Sequence, residues 1–192
     1  QDTPSLADIP EHKSAEAAGR PVVIDYLDLP DALRIVADYR VHEGNVTVVD
    51  GADAPSPPVG LGPWADLGLP EFSGAIAYDF TFAVAADYLE EPVFLDLGEV
   101  CYAASLALNG EELGTLLWPP FVTEVHHVLR QGENRLTVVV TNTLANQVAS
   151  TRVVEEAKAQ GWFNSYYQRA LPMMEESLRS GLIGPVRLYV HR

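Results

Sequence analysis

The sequence has little cysteine, few basic residues and no long apolar run, and each shortage excludes a class of protein. Its one cysteine, Cys101, excludes an internal disulfide framework and any zinc site built from several cysteines. No run of about 18 apolar residues occurs, so the sequence predicts no transmembrane helix. Twelve basic residues face 27 acidic ones, which gives a net charge of −15. Because nucleic acids and anionic membranes reward clustered lysine and arginine, we expect neither as a partner.

The composition that remains is typical of one folded domain. The 192 residues are 47% hydrophobic and 20% charged, which is enough apolar material for a sizeable core. Residues 1–20 are polar, rich in Ala, Pro and Glu, and show no hydrophobic period. We therefore predict a lead-in or linker over 1–20, followed by a single domain over 21–192.

Short apolar stretches separated by turn residues recur from Pro21 onward, a pattern typical of β-strands. Residues 75–84 alternate most clearly, and four of their large apolar side chains share one parity: Ile76, Tyr78, Phe80 and Phe82. Residues 134–143 alternate again, with Leu136, Val138 and Val140 predicted to point inward. About eight strands at close spacing, without alternating helices, predict an all-β fold, an antiparallel β-sandwich.

Local signals refine this prediction. Asn109-Gly110, between two strand-like segments, predicts a hairpin because both residues tolerate a positive φ. Gly114 is predicted to allow a bulge or a close backbone approach in the second of these strands. Residues 150–180 have helical composition instead, with a helix expected from Thr151 to Gln160 and breaks at Gly161 and Pro172. We interpret them as a helical insertion before one final strand over 181–190.

Four motifs, in order, carry a resemblance to a known family. They are LGPWADLGLPEFSGAIAYDFTF (61–82), LDLGEVCYAASLALNGEELGTLLWPPFVTEV (95–125), GENRLTVVVTNTLAN (132–146) and SGLIGPVRL (180–188). From about Trp64 to Val190 the chain resembles a glycoside hydrolase accessory sandwich, the sugar-binding, galactose-binding-like jelly roll of glycoside hydrolase family 2. A related sandwich occurs in rhamnosidase-like multidomain enzymes. Residues 1–60 match only loosely, and the helical insertion is longer than the family pattern.

The resemblance implies a non-catalytic accessory module of a larger bacterial glycoside hydrolase. Its partner would be the catalytic domain of the same parent chain, which it would support, and it could also bind carbohydrate. An alternative is a purely structural module that binds no glycan. An autonomous glycosidase is disfavoured, because the family carries its catalytic carboxyl pair in a separate barrel that 192 residues cannot contain.

Residues 161–169, GWFNSYYQR, hold the most site-like cluster of the sequence. Aromatic rings cover the apolar C–H faces of sugars, and planar polar groups can bond pairs of hydroxyls. The candidate carbohydrate-binding residues here are Trp162, Asn164, Tyr166, Tyr167 and Arg169. The competing interpretation is an apolar helix face that docks on the sandwich or on a neighbouring domain.

Three further side chains are weighed as parts of this site. Trp64 follows a Pro/Gly-rich loop and could either stack on a sugar or pack in the core. Trp118 lies between a strand and Pro119-Pro120, so we predict that it packs in the core or at a sheet end. In family 2 enzymes an acidic side chain from the loop before the corresponding Ser-Gly step can reach the substrate pocket. The resemblance implies this role for Glu175, although a solvated acidic face is the simpler explanation.

The sequence offers only weak metal candidates, and no cofactor follows from it. Galactose-binding-like sandwiches often hold a structural Ca²⁺, for which Asp50, Asp53 and Asp96 are candidate donors without EF-hand spacing. The adjacent His126 and His127 have no third ligand at zinc spacing. One thiol and an acidic surface suit either side of a membrane, so the compartment stays open, with a secreted or cell-surface location favoured over the cytoplasm.

Overall fold

The computed structural model of the protein describes residues 21–27, 29–51, 56–175 and 178–191. The predicted lead-in over 1–20 lies outside these ranges. Within them the chain forms twelve strands and three α-helices. The strands are β1 (Pro21–Leu27), β2 (Ala32–His42), β3 (Asn45–Asp50), β4 (Gly74–Val84), β5 (Val93–Asp96), β6 (Glu99–Cys101), β7 (Ala103–Leu108), β8 (Glu111–Leu116), β9 (Val122–Glu124), β10 (Gly132–Thr141), β11 (Gly181–Gly184) and β12 (Val186–His191). The helices are α1 (Ala145–Val148), α2 (Thr151–Ala159) and α3 (Ser165–Glu175).

The strands form two large antiparallel sheets and one small one. The larger sheet has the order β3-β2-β4-β10-β7-β8, and the second has the order β1-β12-β5-β9. A two-stranded ladder of β11 and β6 completes the set. This arrangement confirms the predicted all-β sandwich, with a minor helical segment between β10 and β11.

The core lies between the inner faces of the two large sheets. Its large, nearly inaccessible side chains follow the alternation predicted for β4 and β10 and meet apolar residues of β5 and β12: Ile76, Tyr78, Phe80, Leu136, Val138, Val140, Val93, Leu95, Leu188 and Val190. Strand β10 pairs with β4 over its whole length and with β7 on its other edge. Alternating burial on paired strands therefore supplies most of the apolar stabilisation of the fold.

The hairpin predicted at Asn109-Gly110 joins β7 to β8. Asn109 has φ 54° and Gly110 has φ 86°, the left-handed pair that a tight two-residue hairpin requires. The Asn109 side chain also donates to the Asn134 amide oxygen at 2.8 Å, which ties the turn to the start of β10. Opposite Leu106 and Ala107 the register shifts between Gly114 and Glu112, so the predicted bulge near Gly114 is confirmed.

Two details differ from the sequence prediction. The final strand is split at Pro185 into β11 and β12, because proline has no N–H for the ladder; the two halves pair with β6 and β5 respectively. The helix over Thr151–Ala159 is confirmed, but Pro172 lies within α3 and does not end it. A proline removes one helical hydrogen bond, and this helix continues past it to Glu175. None of the helices described is long and apolar enough to cross a membrane.

Candidate functional site

The β2–β3 hairpin extends beyond the sheet that holds it, and this extension creates the candidate site. Strand β4 pairs with β2 only as far as Asp38. Beyond that point side chains of the helical segment bond the same edge of β2. The Val41 N–H donates to Gln147 Oε1 at 3.5 Å, and Arg152 Nη2 donates to the Val41 carbonyl at 2.8 Å. Side chains of the helical segment therefore bond the edge of β2 beyond the point where β4 stops pairing with it.

Arg152 links this hairpin to Glu156 of α2. The Glu156 carboxylate accepts from Arg152 Nη1 at 2.7 Å, while Nη2 of the same arginine bonds the Val41 carbonyl. The hydrogen bond from Arg152 is the main cause that lowers the pKa of the Glu156 carboxyl below its usual value.

The end of α2 positions Trp162. Gly161 has φ 73°, the Gly161 N–H donates to the Lys158 carbonyl, and the Trp162 N–H donates to the Ala157 carbonyl at 2.8 Å. These bonds form a Schellman motif, in which glycine takes the left-handed conformation after the helix. The turn carries the Trp162 ring over Gly44, where an added Cβ would lie 3.1 Å from Cζ3 of the indole. A side chain at Gly44 would therefore displace Trp162.

Trp162 and Tyr167 line a mainly apolar cavity of 280 Å³ between the hairpin and the helices. Its remaining walls include Val41, Val46 and Ala157. The Trp162 side chain is 44% exposed, while the Tyr167 hydroxyl donates to the Val148 carbonyl at 2.6 Å. Burial raises the pKa of Tyr167. The cavity offers an aromatic face with access to solvent.

A larger and more polar cleft of 910 Å³ lies beside this cavity. It runs between β2, the loop before β4 and the first turns of the helical segment. Its polar lining consists of Asp38, Arg40, His42, Thr47, Glu71, Gln147, Arg152 and Glu156. Val41 and Glu156 line both the cleft and the Trp162 cavity, so the two spaces are neighbours.

The structure brings together only part of the predicted aromatic site. Trp162 and Tyr167 share the cavity, and Phe163 contacts Tyr167 with ring centroids 5.2 Å apart. Asn164 acts at the start of α3, where its Oδ1 accepts from the Tyr167 N–H at 3.1 Å. The Arg169 residue is exposed on the same helix.

Two predicted site residues have side chains outside the described part of the structure. Tyr166 and Glu175 both lie on the backbone of α3, but their side chains are not among those described. Their roles in carbohydrate binding remain predictions.

The other two tryptophans lie outside this cavity, one buried and one exposed. Trp64 has no exposed surface, and its Nε1 donates to the Tyr78 hydroxyl at 2.6 Å within the core. An indole with no free face cannot stack on a sugar, so the predicted binding role of Trp64 is wrong and the packing role holds. Trp118 was predicted to be packed, yet it is 66% exposed in the β8–β9 loop, because β8 ends at Leu116 and leaves it beyond the sheet.

The calcium candidates do not form a site among the described residues. Asp96 Oδ1 accepts from the Gly98 N–H and Oδ2 accepts from Arg187, so both of its oxygens are engaged. Asp50 ends β3, and Asp53 lies outside the described ranges. Within those ranges no group of three or more His, Cys, Asp or Glu residues could hold a metal ion.

Reasoning from sequence missed the polar cleft entirely. Its members come from four segments that the fold brings together, which no local spacing reveals. One signal was present: Arg152 and Glu156 stand four residues apart on a predicted helix, the spacing of an ion pair on one face. That signal identifies the pair but not the hairpin that it contacts.

Comparison with known proteins finds similarity to parts of larger proteins described as glycosidases. No family model matches the chain. A protein of Formosa agariphila described as "Putative beta-glucuronidase" is 32% identical over 145 residues, which cover 64% of this chain and 12% of that protein. The chain therefore spans only a small part of the length of this curated relative.

Solved structures show the same partial coverage. The rhamnosidase from Novosphingobium sp. PP1Y matches with a TM-score of 0.54 and 22% identity, over 89% of this chain and 15% of that one. A β-glucuronidase from Bifidobacterium dentium matches with a TM-score of 0.47 and 24% identity, over 84% of this chain and 30% of that one. The likeness to the rhamnosidase shows a shared fold. The chain is thus similar to one part of larger proteins described as glycoside hydrolases.

Proposed function

We propose that the chain is a non-catalytic accessory module of a larger glycoside hydrolase, a galactose-binding-like jelly roll that supports the catalytic domain of its parent chain and binds carbohydrate. The observation that carries the proposal is partial coverage: the sandwich corresponds to 12% of the F. agariphila relative and 15% of the rhamnosidase. A segment of this size and fold suits an appended domain, since it leaves most of each enzyme to other domains.

The Trp162 cavity supports the carbohydrate-binding part of the proposal. A solvent-accessible indole beside Tyr167 gives a sugar an apolar face to stack on. The adjacent cleft supplies carboxylate, guanidinium and amide groups within reach of its hydroxyls. The Glu156 carboxylate, oriented by Arg152 at 2.7 Å, can accept hydrogen bonds from sugar hydroxyls.

A second candidate is a purely structural module, and the β8–β9 loop favours it. Leu117 is 57% exposed and Trp118 is 66% exposed, next to Pro119 and Pro120. Large apolar side chains that project together from a loop suit an interface with a neighbouring domain. In this alternative the parent enzyme would cover the loop, and the chain would bind no glycan.

Trp162 and Trp118 are both exposed, so an alanine variant of one can be tested against an alanine variant of the other as a matched control. Isothermal titration of the folded chain with oligosaccharides of galactose, rhamnose and plant cell-wall sugars, with and without Ca²⁺, measures binding. We expect Trp162→Ala to lower the affinity by about fivefold, because an aromatic stacking contact is worth about 1 kcal/mol. Trp118→Ala serves as the control and should leave the affinity unchanged. Silence across the panel from folded protein would overturn carbohydrate binding and favour the structural module.

A further inference from the structure

The polar cleft has the chemistry of a site for hydroxyl-rich ligands. Its side chains include carboxylates, guanidiniums and a carboxamide, flat groups whose paired donors or acceptors match vicinal hydroxyls. Its volume of 910 Å³ lies near the upper end of the range of about 300–1,000 Å³ for small-molecule sites. Leu69, Pro70 and Phe72 provide an apolar border. A ligand larger than one sugar ring would fill such a space.

The charges of the cleft are paired within the protein, and this limits the ligand. Arg40 Nε donates to Asp38 Oδ2 at 2.8 Å, and Arg152 bonds Glu156 at 2.7 Å. Glu71 Oε1 accepts from the Thr151 N–H at 3.1 Å, at the start of α2. Three carboxylates therefore face two guanidiniums, on a chain of net charge −15. An anionic ligand would meet no unneutralised arginine and an unfavourable overall field.

The cleft and the Trp162 cavity meet at the same side chains. Val41 and Glu156 line both spaces, and Arg152 Nη1 holds the Glu156 carboxylate at 2.7 Å. A linear ligand that crosses Glu156 would place one end against the exposed indole and the other among the paired charges. The Arg40 side chain is 60% exposed, so its guanidinium N–H groups remain reachable while it bonds Asp38.

We propose that the cleft and the Trp162 cavity are two subsites of one site, and that its ligand is an uncharged oligosaccharide rather than a single sugar or a uronic-acid polymer. The inference rests on the proposed function, since it assigns a ligand class to that carbohydrate site. Trp162 binds one sugar ring by stacking. Arg40 and Glu71 bind hydroxyls of the following units.

The experiment compares ligand length and charge on the 192-residue chain. Neutral tetrasaccharides of β-linked glucose, mannose, xylose and galactose are titrated beside their monosaccharides and beside tetragalacturonate. We expect a neutral tetrasaccharide to bind at least about tenfold more tightly than its monosaccharide, because it fills both subsites, and tetragalacturonate to bind more weakly than the neutral ligand.

Variants then separate the two subsites. Arg40→Ala and Glu71→Gln should each lower tetrasaccharide affinity by about fivefold to tenfold, in line with lost charge-assisted hydrogen bonds. Monosaccharide binding at Trp162 should not change. Arg135→Ala is the matched control, because Arg135 is also an exposed strand arginine that pairs with an acidic residue two positions earlier, Glu133. It should bind the tetrasaccharide like the unaltered chain.

Each contrary result overturns a distinct statement. Binding that Trp162→Ala abolishes but Arg40→Ala and Glu71→Gln leave unchanged would overturn the cleft subsite and keep the proposed function. Preferential binding of tetragalacturonate would overturn the uncharged ligand. No sugar bound by folded protein would overturn both the subsites and carbohydrate binding itself. Circular dichroism of each variant confirms that the fold is retained.

Discussion

The sandwich and the helical segment between β10 and β11 are held in different ways. In the sandwich, whole strand faces are buried, and residues such as Tyr78, Leu136 and Val138 have almost no exposure. In residues 143–175 only Val153 and Ala157 are buried hydrophobic residues among those described. Hydrogen bonds from side chains to backbone connect this segment to the rest, notably those of Asn146, Gln147 and Arg152.

This difference explains where a binding site can form. Apolar side chains fill the space between the two large sheets and leave no room there for a ligand. Polar contacts across the hairpin edge hold the helices at a distance and leave both the Trp162 cavity and the cleft beside them. The sandwich thus supplies the stability, and the helical segment supplies the candidate site.

The strongest test of the comparison exchanges one tryptophan from each region for alanine. Trp64→Ala should lower the free energy of unfolding by about 3–5 kcal/mol, because it empties a fully buried volume and removes one of the two hydrogen bonds that the Tyr78 hydroxyl accepts. Trp162→Ala should cost about 1–2 kcal/mol, since its ring is 44% exposed. Urea denaturation measures both. Equal losses would contradict the division between a packed core and a partly exposed site.

A smaller effect is expected at the contact between the two regions. Asn142 directly follows β10 and is buried. Its Oδ1 accepts from the Gly74 N–H and its Nδ2 donates to the Phe72 carbonyl, each at 2.8 Å, and Nδ2 also donates to Asn146 Oδ1 in α1 at 3.3 Å. Asn142→Ala leaves both backbone groups unpaired and should cost about 2–3 kcal/mol. Chemical denaturation followed by circular dichroism measures the loss.

The control for Asn142 is an exposed asparagine in the hairpin turn. Asn45→Ala should change the free energy of unfolding by less than about 0.5 kcal/mol, as is usual for surface positions. If Asn142→Ala proved as mild as Asn45→Ala, hydrogen bonds would not be what joins the helical segment to the sandwich.

The smallest expected effect is the pH dependence of the free energy of unfolding that Asp79, on the outer face of the sandwich, should cause. Burial raises the pKa of Asp79, but hydrogen bonds from Arg34 and Thr137 outweigh it and lower the pKa below the usual 3.8. A lowered folded-state pKa stabilises the fold at pH values above the unfolded value, and this contribution is lost as the pH falls from about 4 through the folded pKa. Because the Arg34 side chain is 55% exposed, we expect less than about 1 kcal/mol.

Unfolding measured between pH 7 and pH 2 tests this contribution. Asp79→Asn should be less stable than the unaltered chain at neutral pH, and the difference should shrink in acid. A difference that stays constant with pH would show that the ionisation of Asp79 does not contribute.

The fold was largely predictable from the sequence, because its signals are local. Alternation in 75–84 and 134–143 fixed the inward faces of β4 and β10, and Asn109-Gly110 fixed a hairpin. The errors arose where a distant contact decides. The sequence predicts a packed Trp118 beside Pro119, but β8 ends two residues before Trp118 and the side chain is exposed. The sequence predicts a helix break at Pro172, but α3 continues past it to Glu175.

The candidate site was predictable only in part. Trp162 and Tyr167 stand five residues apart, so their cluster is visible in the sequence, and the structure places both on one cavity. Trp64 is also a tryptophan but is buried, and its indole N–H bonds the Tyr78 hydroxyl, a contact that only the fold reveals. The cleft combines β2, a loop and two helices, and the hydrogen bonds of Gln147 and Arg152 that shape it have no local sequence pattern.

The position of β3 at the edge of the larger sheet has a consequence for the solution behaviour of the chain. No described strand pairs with its outer edge, and its exposed side chains include Val46, Val48 and Val49, without lysine or proline to block pairing. The net charge of −15 keeps two such edges apart at low ionic strength. Salt shortens the range of that repulsion. Colloidal stability of the isolated chain is therefore electrostatic, and concentrated salt favours strand-to-strand self-association through β3.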